Sequence, residues 1–206
     1  LGHLLRAGTD PDFTWTETRQ GVAVQHSLLA SAIATKQVPL VALLLDAGAD
    51  PRQTIPLPDR HRRDRGDEID PDGATEMVHH AAGSSRAVLD LLLEAGAPVD
   101  ARSEHGRTPL LEVVRGSAGD DWLARAASLL EAGADPEAAE PNGVTAIMHA
   151  VRGARYETDE DDSANAIAMV ELLLEAGASI EQTDTAGRGA LHHAVGVRPH
   201  PAVVRH

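Results

Sequence analysis

The sequence lacks cysteine and contains only four aromatic residues, Phe13, Trp15, Trp122 and Tyr156. Without cysteine the chain has no disulfides, thiolate nucleophiles or zinc-thiolate sites, which fits a reducing compartment. We therefore expect a cytoplasmic protein. So few aromatic rings leave little capacity for base stacking, and we expect a core of Leu, Val, Ile and Ala.

Positive charge is also scarce, because 18 Lys and Arg stand against 32 Asp and Glu, a formal net charge of -14. Nucleic acid is disfavoured as a partner, since binding to phosphates depends on Lys and Arg. No apolar run approaches the ~18 residues that a membrane span needs, so no membrane partner is predicted. The 42% of hydrophobic residues predict a folded chain, which we expect to form one domain over 1–206.

A Leu-rich segment that ends in Gly occurs five times. It reads LLRAGTDPD from Leu4, LLLDAGADP from Leu43, LLLEAGAPVD from Leu91, LLEAGADPE from Leu129 and LLLEAGASIE from Leu172. Its glycines are 40, 48, 37 and 44 residues apart, so a unit of about 33 residues with insertions explains every interval. The sequence therefore predicts an array of repeats.

The second half of the unit begins twelve residues after the glycine. GRTPLLEVV surrounds Thr108, GVTAIMHAV surrounds Thr145 and GRGALHHAV surrounds Gly189. From about Ser27 to Val195 the chain resembles the ankyrin repeat, in which G-x-T-P-L-H-x-A-A precedes an apolar helix ending in L-L-L-x-x-G-A-D. The sequence departs from that family where Val78, Leu111 and Met148 replace its usual His, and where Gly189 replaces the helix-starting Thr.

The resemblance implies an all-α, ankyrin-type helical-repeat solenoid with hairpin loops, about four full repeats and partial terminal repeats. The full repeats are expected at about 14–49, 71–97, 104–134 and 141–178, the partial ones at 1–13 and 184–206, and the inserted loops at 10–25, 51–72, 116–120 and 153–164. Both ends stop within predicted helices, so we expect a longer array or further residues that cover these ends.

The helices of a unit can also be predicted from single residues. Thr108 suits a helix N-cap and Pro109 the first helical position. Leu110, Val113 and Val114 then recur at helical spacing, as Ala126, Leu129 and Leu130 do in a second stripe. Gly133 is expected to end that second helix in the left-handed conformation.

Contact residues are expected where equivalent positions differ between repeats. The resemblance implies that hairpin tips and the exposed side of each first helix form a concave partner-binding face. The candidates are Asp72, Ala74, Glu104, His105, Arg107, Asn142, Val144, Thr185 and Arg188, with Arg115 and Arg152 just after the first helices. The alternative for each is a solvated turn.

Two inserted loops and one aromatic residue are further candidates. Residues 51–72 carry five Arg among six acids, and residues 153–164 carry an acidic block suited to a basic partner. Trp15, in the segment 10–25, is a candidate partner-binding anchor. The alternative for Trp15 is packing against its own domain.

Metal sites and catalysis are not predicted. Asp70, Asp72 and Gly73 imitate part of a calcium loop, but His79 stands where the loop needs Glu. Neighbouring histidines such as His192 and His193 point about 100° apart on a helix, which favours structural roles over a shared metal. The sequence contains no phosphate-binding loop, HExxH or GxSxG motif, so we expect no catalytic residue, cofactor or metal.

The sequence thus predicts a non-enzymatic protein-protein interaction module, such as an adaptor, inhibitor or immunity-type protein, which binds a protein partner that the acidic surface suggests is basic. The alternative is a targeting or regulatory module of a larger enzyme whose catalytic domain lies outside this chain. The abundance of Ala and Arg with a single Lys is typical of a bacterial source. The oligomeric state stays open.

Overall fold

The structure, a computed structural model, describes residues 10–19, 22–53, 77–83, 85–103, 105–116, 121–153 and 160–195. These ranges contain nine helices and one two-stranded sheet, so the predicted predominance of helix is confirmed. Within them, no helix combines the length and apolar character needed to cross a bilayer. The contacts group the chain into two compact units, Leu1–Glu104 and His105–His206.

The first unit contains a β-hairpin and two pairs of helices. Its elements are β1 (Thr14–Arg19), β2 (Val22–Ser27), α1 (Leu28–Ala34), α2 (Val38–Asp46), α3 (Met77–Ala82) and α4 (Arg86–Glu94). Helix α1 packs on α2 and α3 packs on α4, and the pairs stack because α1 contacts α3 and α2 contacts α4. Leu29, Leu44 and Leu89 are among the fully buried side chains.

The hairpin replaces part of the predicted inserted loop 10–25. Strands β1 and β2 pair antiparallel, with Trp15 opposite His26 and Thr14 opposite Ser27. Thr, Trp and Val, which recur at alternate positions in TWTETR and VAVQHS, favour extended backbone. The loop prediction was therefore wrong for these residues, because Thr and Val at alternate positions allow the two segments to pair as strands.

The second unit contains five helices. They are α5 (Pro109–Gly116), α6 (Trp122–Glu131), α7 (Ala146–Gly153), α8 (Glu160–Glu175) and α9 (Ala190–Val195). Helix α5 pairs with α6 and α7 with α8, while α7 contacts both α5 and α9, and α6 contacts α8. Short antiparallel bridges, Ala139 with Thr145 and Thr183 with Gly189, close the hairpins before α7 and α9.

The predicted helix ends are confirmed in the second unit. Helix α5 begins at Pro109, and Thr108, 1% exposed, accepts a hydrogen bond from the backbone N–H of Leu111. After α6, Gly133 has a φ of 92°, and the N–H of Ala134 bonds the carbonyl of Leu129 at 2.9 Å. These contacts satisfy backbone groups that a helix end leaves open.

The predicted inserted loops have different outcomes. Helix α8 begins at Glu160, so the loop prediction for 153–164 was wrong over its last residues. Acidic residues such as Glu160 and Asp161 favour a helix N-terminus, which accounts for the helix there. Residues 54–72 and 117–120, which make up most of two other predicted loops, lie outside the described residues.

Candidate functional site

The turns that precede α5, α7 and α9, which we call the first, second and third hairpins, contact one another directly. Gly106 has a φ of 71°, and a Cβ atom added there would lie 2.7 Å from Cγ of Pro141 in the next hairpin. Such a distance is shorter than van der Waals contact allows, and the left-handed φ also favours glycine. The first and second hairpins therefore touch at a position that only glycine fits.

The second and third hairpins meet in the same way. A Cβ atom on Gly143 would lie 2.9 Å from Cα of Asp184, and the N–H of Thr185 donates to the carbonyl of Asn142 at 2.9 Å. Five exposed residues follow these contacts from hairpin to hairpin. We call them the tip row: His105, Pro141, Asn142, Thr185 and Ala186.

Each of the last two hairpins is closed by two backbone hydrogen bonds. In the second, the N–H of Glu140 donates to the carbonyl of Val144 at 2.9 Å, and the N–H of Gly143 donates to that of Glu140 at 2.8 Å. The third repeats both bonds, at the same lengths, between Asp184 and Arg188 and between Gly187 and Asp184. Equivalent residues lie 44 positions apart, so the two turns have matching backbones.

The carboxylate of Glu140 joins two hairpins and a helix. Arg107 Nε donates to Glu140 Oε1 at 2.9 Å, and His149 Nε2 lies 3.1 Å from the same oxygen. Arg107 also donates to Glu112 at 3.3 Å. The side chains of Glu140, Arg107 and His149 are only 9%, 17% and 4% exposed, so these contacts are largely shielded from water.

The position of Arg152 assigns the proton on His149. Arg152 Nη2 lies 2.9 Å from His149 Nδ1, and because a guanidinium can only donate, Nδ1 accepts and Nε2 carries the proton given to Glu140. Burial lowers the pKa of His149 to about 4, Arg152 acts in the same direction and Glu140 opposes it. The imidazole is therefore neutral near pH 7.

Glu140 is ionised in this network. Burial alone would raise the pKa of its carboxyl, but the contacts with His149 and Arg107 outweigh burial and lower that pKa. The result is a shielded anion held between a guanidinium and a neutral imidazole. Its hydrogen bonds position the second hairpin against the first hairpin and α7.

Asp184 holds the third hairpin with contacts that are almost all local. Its Oδ1 accepts from the N–H groups of Ala186 and Arg188, both at 2.9 Å. Its Oδ2 accepts from Arg188 Nε at 2.7 Å and lies 3.1 Å from His193 Nε2. Burial would raise the pKa of Asp184, but these hydrogen bonds, those from Arg188 first, lower it.

Sequence reasoning missed both carboxylates. Glu140 and Asp184 each precede their histidine, His149 or His193, by nine residues, and that recurring interval was the available signal. His79 occupies the same place in its repeat, and its Nε2 lies 2.9 Å from the carbonyl of Ala101 in the first unit. His79, His149 and His193 thus make hydrogen bonds within the fold.

The structure separates the predicted site residues into three groups. His105, Arg115, Asn142 and Thr185 are exposed, whereas Arg107, Arg152 and Arg188 are partly buried and bonded to Glu140, His149 and Asp184. Asp72, Ala74 and Glu104 lie outside the described residues. The prediction for Val144 was wrong, because its side chain is 4% exposed and packs in the core with Met148 and Ala190.

Trp15 lies on the hairpin of the first unit. Its ring stacks on His26, with centroids 5.3 Å apart, and beside Phe13 at 6.4 Å. Phe13 and Trp15 are nevertheless 51% and 36% exposed. The ring therefore packs on its own unit and is still partly open to solvent, and its role as a partner-binding anchor stays a prediction.

Across the described ranges, no three His, Asp or Glu side chains converge in a way that could hold a metal ion. No protein-family model matches this sequence, and no curated protein matches it either. The function is therefore argued from the geometry of the hairpins.

Proposed function

We propose that this chain is a non-enzymatic, ankyrin-type binding module that holds a protein partner on the tip row. The observation that carries this proposal is the direct contact between successive hairpins at Gly106 and Gly143. Through these contacts, residues that differ from repeat to repeat form one continuous exposed line. Such a line suits recognition of a folded partner, because the exposed side chains vary from repeat to repeat while the backbone that holds them recurs.

Rigid presentation supports the proposal. Hydrogen bonds to the carboxylates of Glu140 and Asp184, which are largely shielded from water, hold the hairpins in place. Residues that are already ordered lose little conformational entropy when a partner binds, so more of the contact energy appears as affinity. Arg107 and Arg188, which the sequence analysis placed among the contacts, are in this proposal supports for the tip row.

The charge of the chain indicates the chemistry of the partner. With a net charge of -14, the molecule attracts a basic surface, which speeds encounter and selects against acidic proteins. The half-exposed pair Phe13 and Trp15 offers a second contact, since aromatic side chains are enriched among residues that dominate binding energy. We propose that these two rings, on the first unit, act as a partner-binding anchor of their own.

The test is affinity capture from a lysate of the source organism with two charge-matched variants. The tip variant is Thr185→Lys with Ala186→Lys, and the control is Ala87→Lys with Ala176→Lys, since all four residues are exposed. We expect a protein that is retained by the native chain and the control but lost from the tip variant. Equal retention by all three, with unchanged circular dichroism, would rule out the tip row as the binding surface.

A further inference from the structure

A groove lies between α6 and α8, the second helices of their pairs, apart from the tip row. Its volume is about 390 Å³, and α6 contributes Leu123, Ala124 and Ala127 to its walls. Helix α8 contributes Ala168, Leu172, Glu171 and Glu175. The three alanines leave the space between the helices open, and both glutamates are exposed, so an apolar floor has an acidic rim.

The apolar surface continues beyond the rim. At ~100° per residue, Glu171 and Glu175 lie on α8 between the groove residues and a second stripe formed by Ile167 and Leu174. These two side chains are 56% and 45% exposed. Large apolar side chains that remain in water beside an apolar groove are typical of surfaces that bind another protein.

The rim charges have no ion-pair partner among the described residues. Glu171 and Glu175 stand four residues apart on one helix, a spacing at which like charges repel. Neither forms an ion pair inside the part of the chain that the structure describes. A cation from outside would relieve this repulsion.

We propose that this groove binds an amphipathic helix of a partner protein, with apolar side chains in the groove and Lys or Arg on Glu171 and Glu175. Both walls are helices, whose backbone groups are already bonded, so an extended peptide cannot add to them as a strand, whereas a helix can pack its apolar stripe between them. A second copy of this chain would bring acidic rims together, which charge complementarity opposes. The groove is therefore a second binding surface in addition to the tip row.

The probe is a fluorescently labelled helical peptide of Leu and Lys, in which Leu recurs at positions i, i+3, i+4 and i+7. Fluorescence anisotropy with the full chain measures its affinity. We expect binding at least about tenfold tighter than that of two controls: a peptide of the same composition in scrambled order, and the periodic peptide with Glu in place of Lys. Equal binding of the scrambled peptide, or no binding of the probe, would overturn the proposal.

Two groove variants locate the binding. Ala127→Met with Ala168→Met narrows the groove, and Glu171→Gln with Glu175→Gln removes the rim charge. Each is expected to weaken probe binding about tenfold. The charge-matched control, Glu137→Gln with Glu181→Gln, changes exposed acids outside the groove and is expected to bind like the native chain.

Other results would overturn the groove as the site. One such result is that the narrowed variant remains helical and still binds the probe with native affinity. Another is that the Glu137→Gln and Glu181→Gln control loses as much affinity for the probe as the groove variants. If narrowing disturbs the fold, the variant at the exposed Glu171 and Glu175 decides between the groove and another site.

Sedimentation equilibrium adds a further test, because a native dimer that the narrowed variant dissociates would make a second copy the occupant. The tip variant, Thr185→Lys with Ala186→Lys, is expected to bind the probe like the native chain. A failure of the proposed binding at the tip row can therefore be told apart from a failure of binding in the groove.

Discussion

The hairpins of Glu140 and Asp184 have matching backbone hydrogen bonds but different side-chain arrangements. Asp184 is short enough to accept from the N–H groups of its own turn and also to reach Arg188 and His193. In the other hairpin, Asn142 accepts from the N–H of Val144 at 3.0 Å. This leaves the longer Glu140 free to reach Arg107 in the preceding hairpin.

One repeat position can thus either close its own turn or connect two turns. The Asp184 arrangement stabilises a single hairpin, whereas the Glu140 arrangement makes the second hairpin depend on the first. Since the proposed partner binding by the tip row would need neighbouring hairpins in register, we expect the Glu140 network to be the connection that matters most. The following predictions test this contrast in decreasing order of the expected change in stability.

Val144 and Arg188 occupy the same place in the two turns but differ in environment. Val144→Glu is expected to cost about 3 kcal/mol or more, because it puts an unpaired charge in a core. Arg188→Val is expected to cost about 1 kcal/mol or less, since the Arg188 side chain is 35% exposed. Urea unfolding followed by circular dichroism measures both, and similar costs would contradict the placement of Val144 in the core.

The pH dependence tests the Glu140 network through the protonation of His149. His149 takes up a proton near pH 6.5 when unfolded but near pH 4 when folded, so between these values the unfolded chain binds more protons. Stability is therefore complete above about pH 6.5 and falls towards pH 4, by on the order of 3 kcal/mol. The lowered pKa of Glu140 adds a loss in the same direction at the acid end.

Unfolding free energies from about pH 4 to 8 check this prediction in the native chain and in His149→Gln. The variant keeps a donor and an acceptor but does not titrate, so its stability should fall less on acidification. The matched control for His149→Gln is His192→Gln, which removes an exposed imidazole. A native curve and a His149→Gln curve that run parallel would show that His149 is not held neutral.

Double-mutant cycles compare the two ion pairs. For Arg107→Met with Glu140→Gln, we expect a coupling of about 1 to 3 kcal/mol, because both side chains are mostly buried and hydrogen-bonded. For Arg188→Met with Asp184→Asn, we expect about 0 to 1 kcal/mol, because Arg188 is more exposed. A larger coupling in the Asp184 pair would reverse the comparison.

The mildest substitution concerns the turn itself. Asn142→Ala should cost about 1 kcal/mol, because the N–H of Val144 loses its acceptor. In a Glu140→Asp background the cost should be smaller, since the shorter acid can accept that N–H as Asp184 does in its own turn. Chemical unfolding of the four proteins checks this, and an equal cost in both backgrounds would show that the division between Asn142 and Glu140 is not real.

The helices were largely predictable from the sequence because their signals are local. Thr108, Pro109 and Gly133 act within one turn of chain, and the Leu-rich stripes bury themselves at helical spacing. The contacts between hairpins were less accessible, since the need for glycine at Gly143 appears only when Asp184 is beside it. The hairpin β1–β2 was missed because a repeat pattern was given more weight than alternation.

The exposure of several hairpin tips was predictable, but the contacts beneath them were not. The exposed tips follow from the repeat register, whereas the packing of Val144 with Ala190 joins residues 46 positions apart and the pairing of Arg107 with Glu140 joins residues 33 positions apart. Charge and side-chain length alone do not tell whether an Arg at a tip faces a partner or a neighbouring carboxylate. The interval of nine residues between acid and His is the pattern that would have indicated the second role.

Hydrogen exchange at the backbone N–H of Thr185 is the sharpest test of whether the hairpins form one rigid row. This residue is exposed at a tip, and its N–H donates across the hairpins to the carbonyl of Asn142. If the row is rigid, its exchange by NMR should be slowed at least about a hundredfold relative to an unstructured peptide. Exchange at the unprotected rate, with the helices still protected, would show that the tips do not hold one another and would contradict the account.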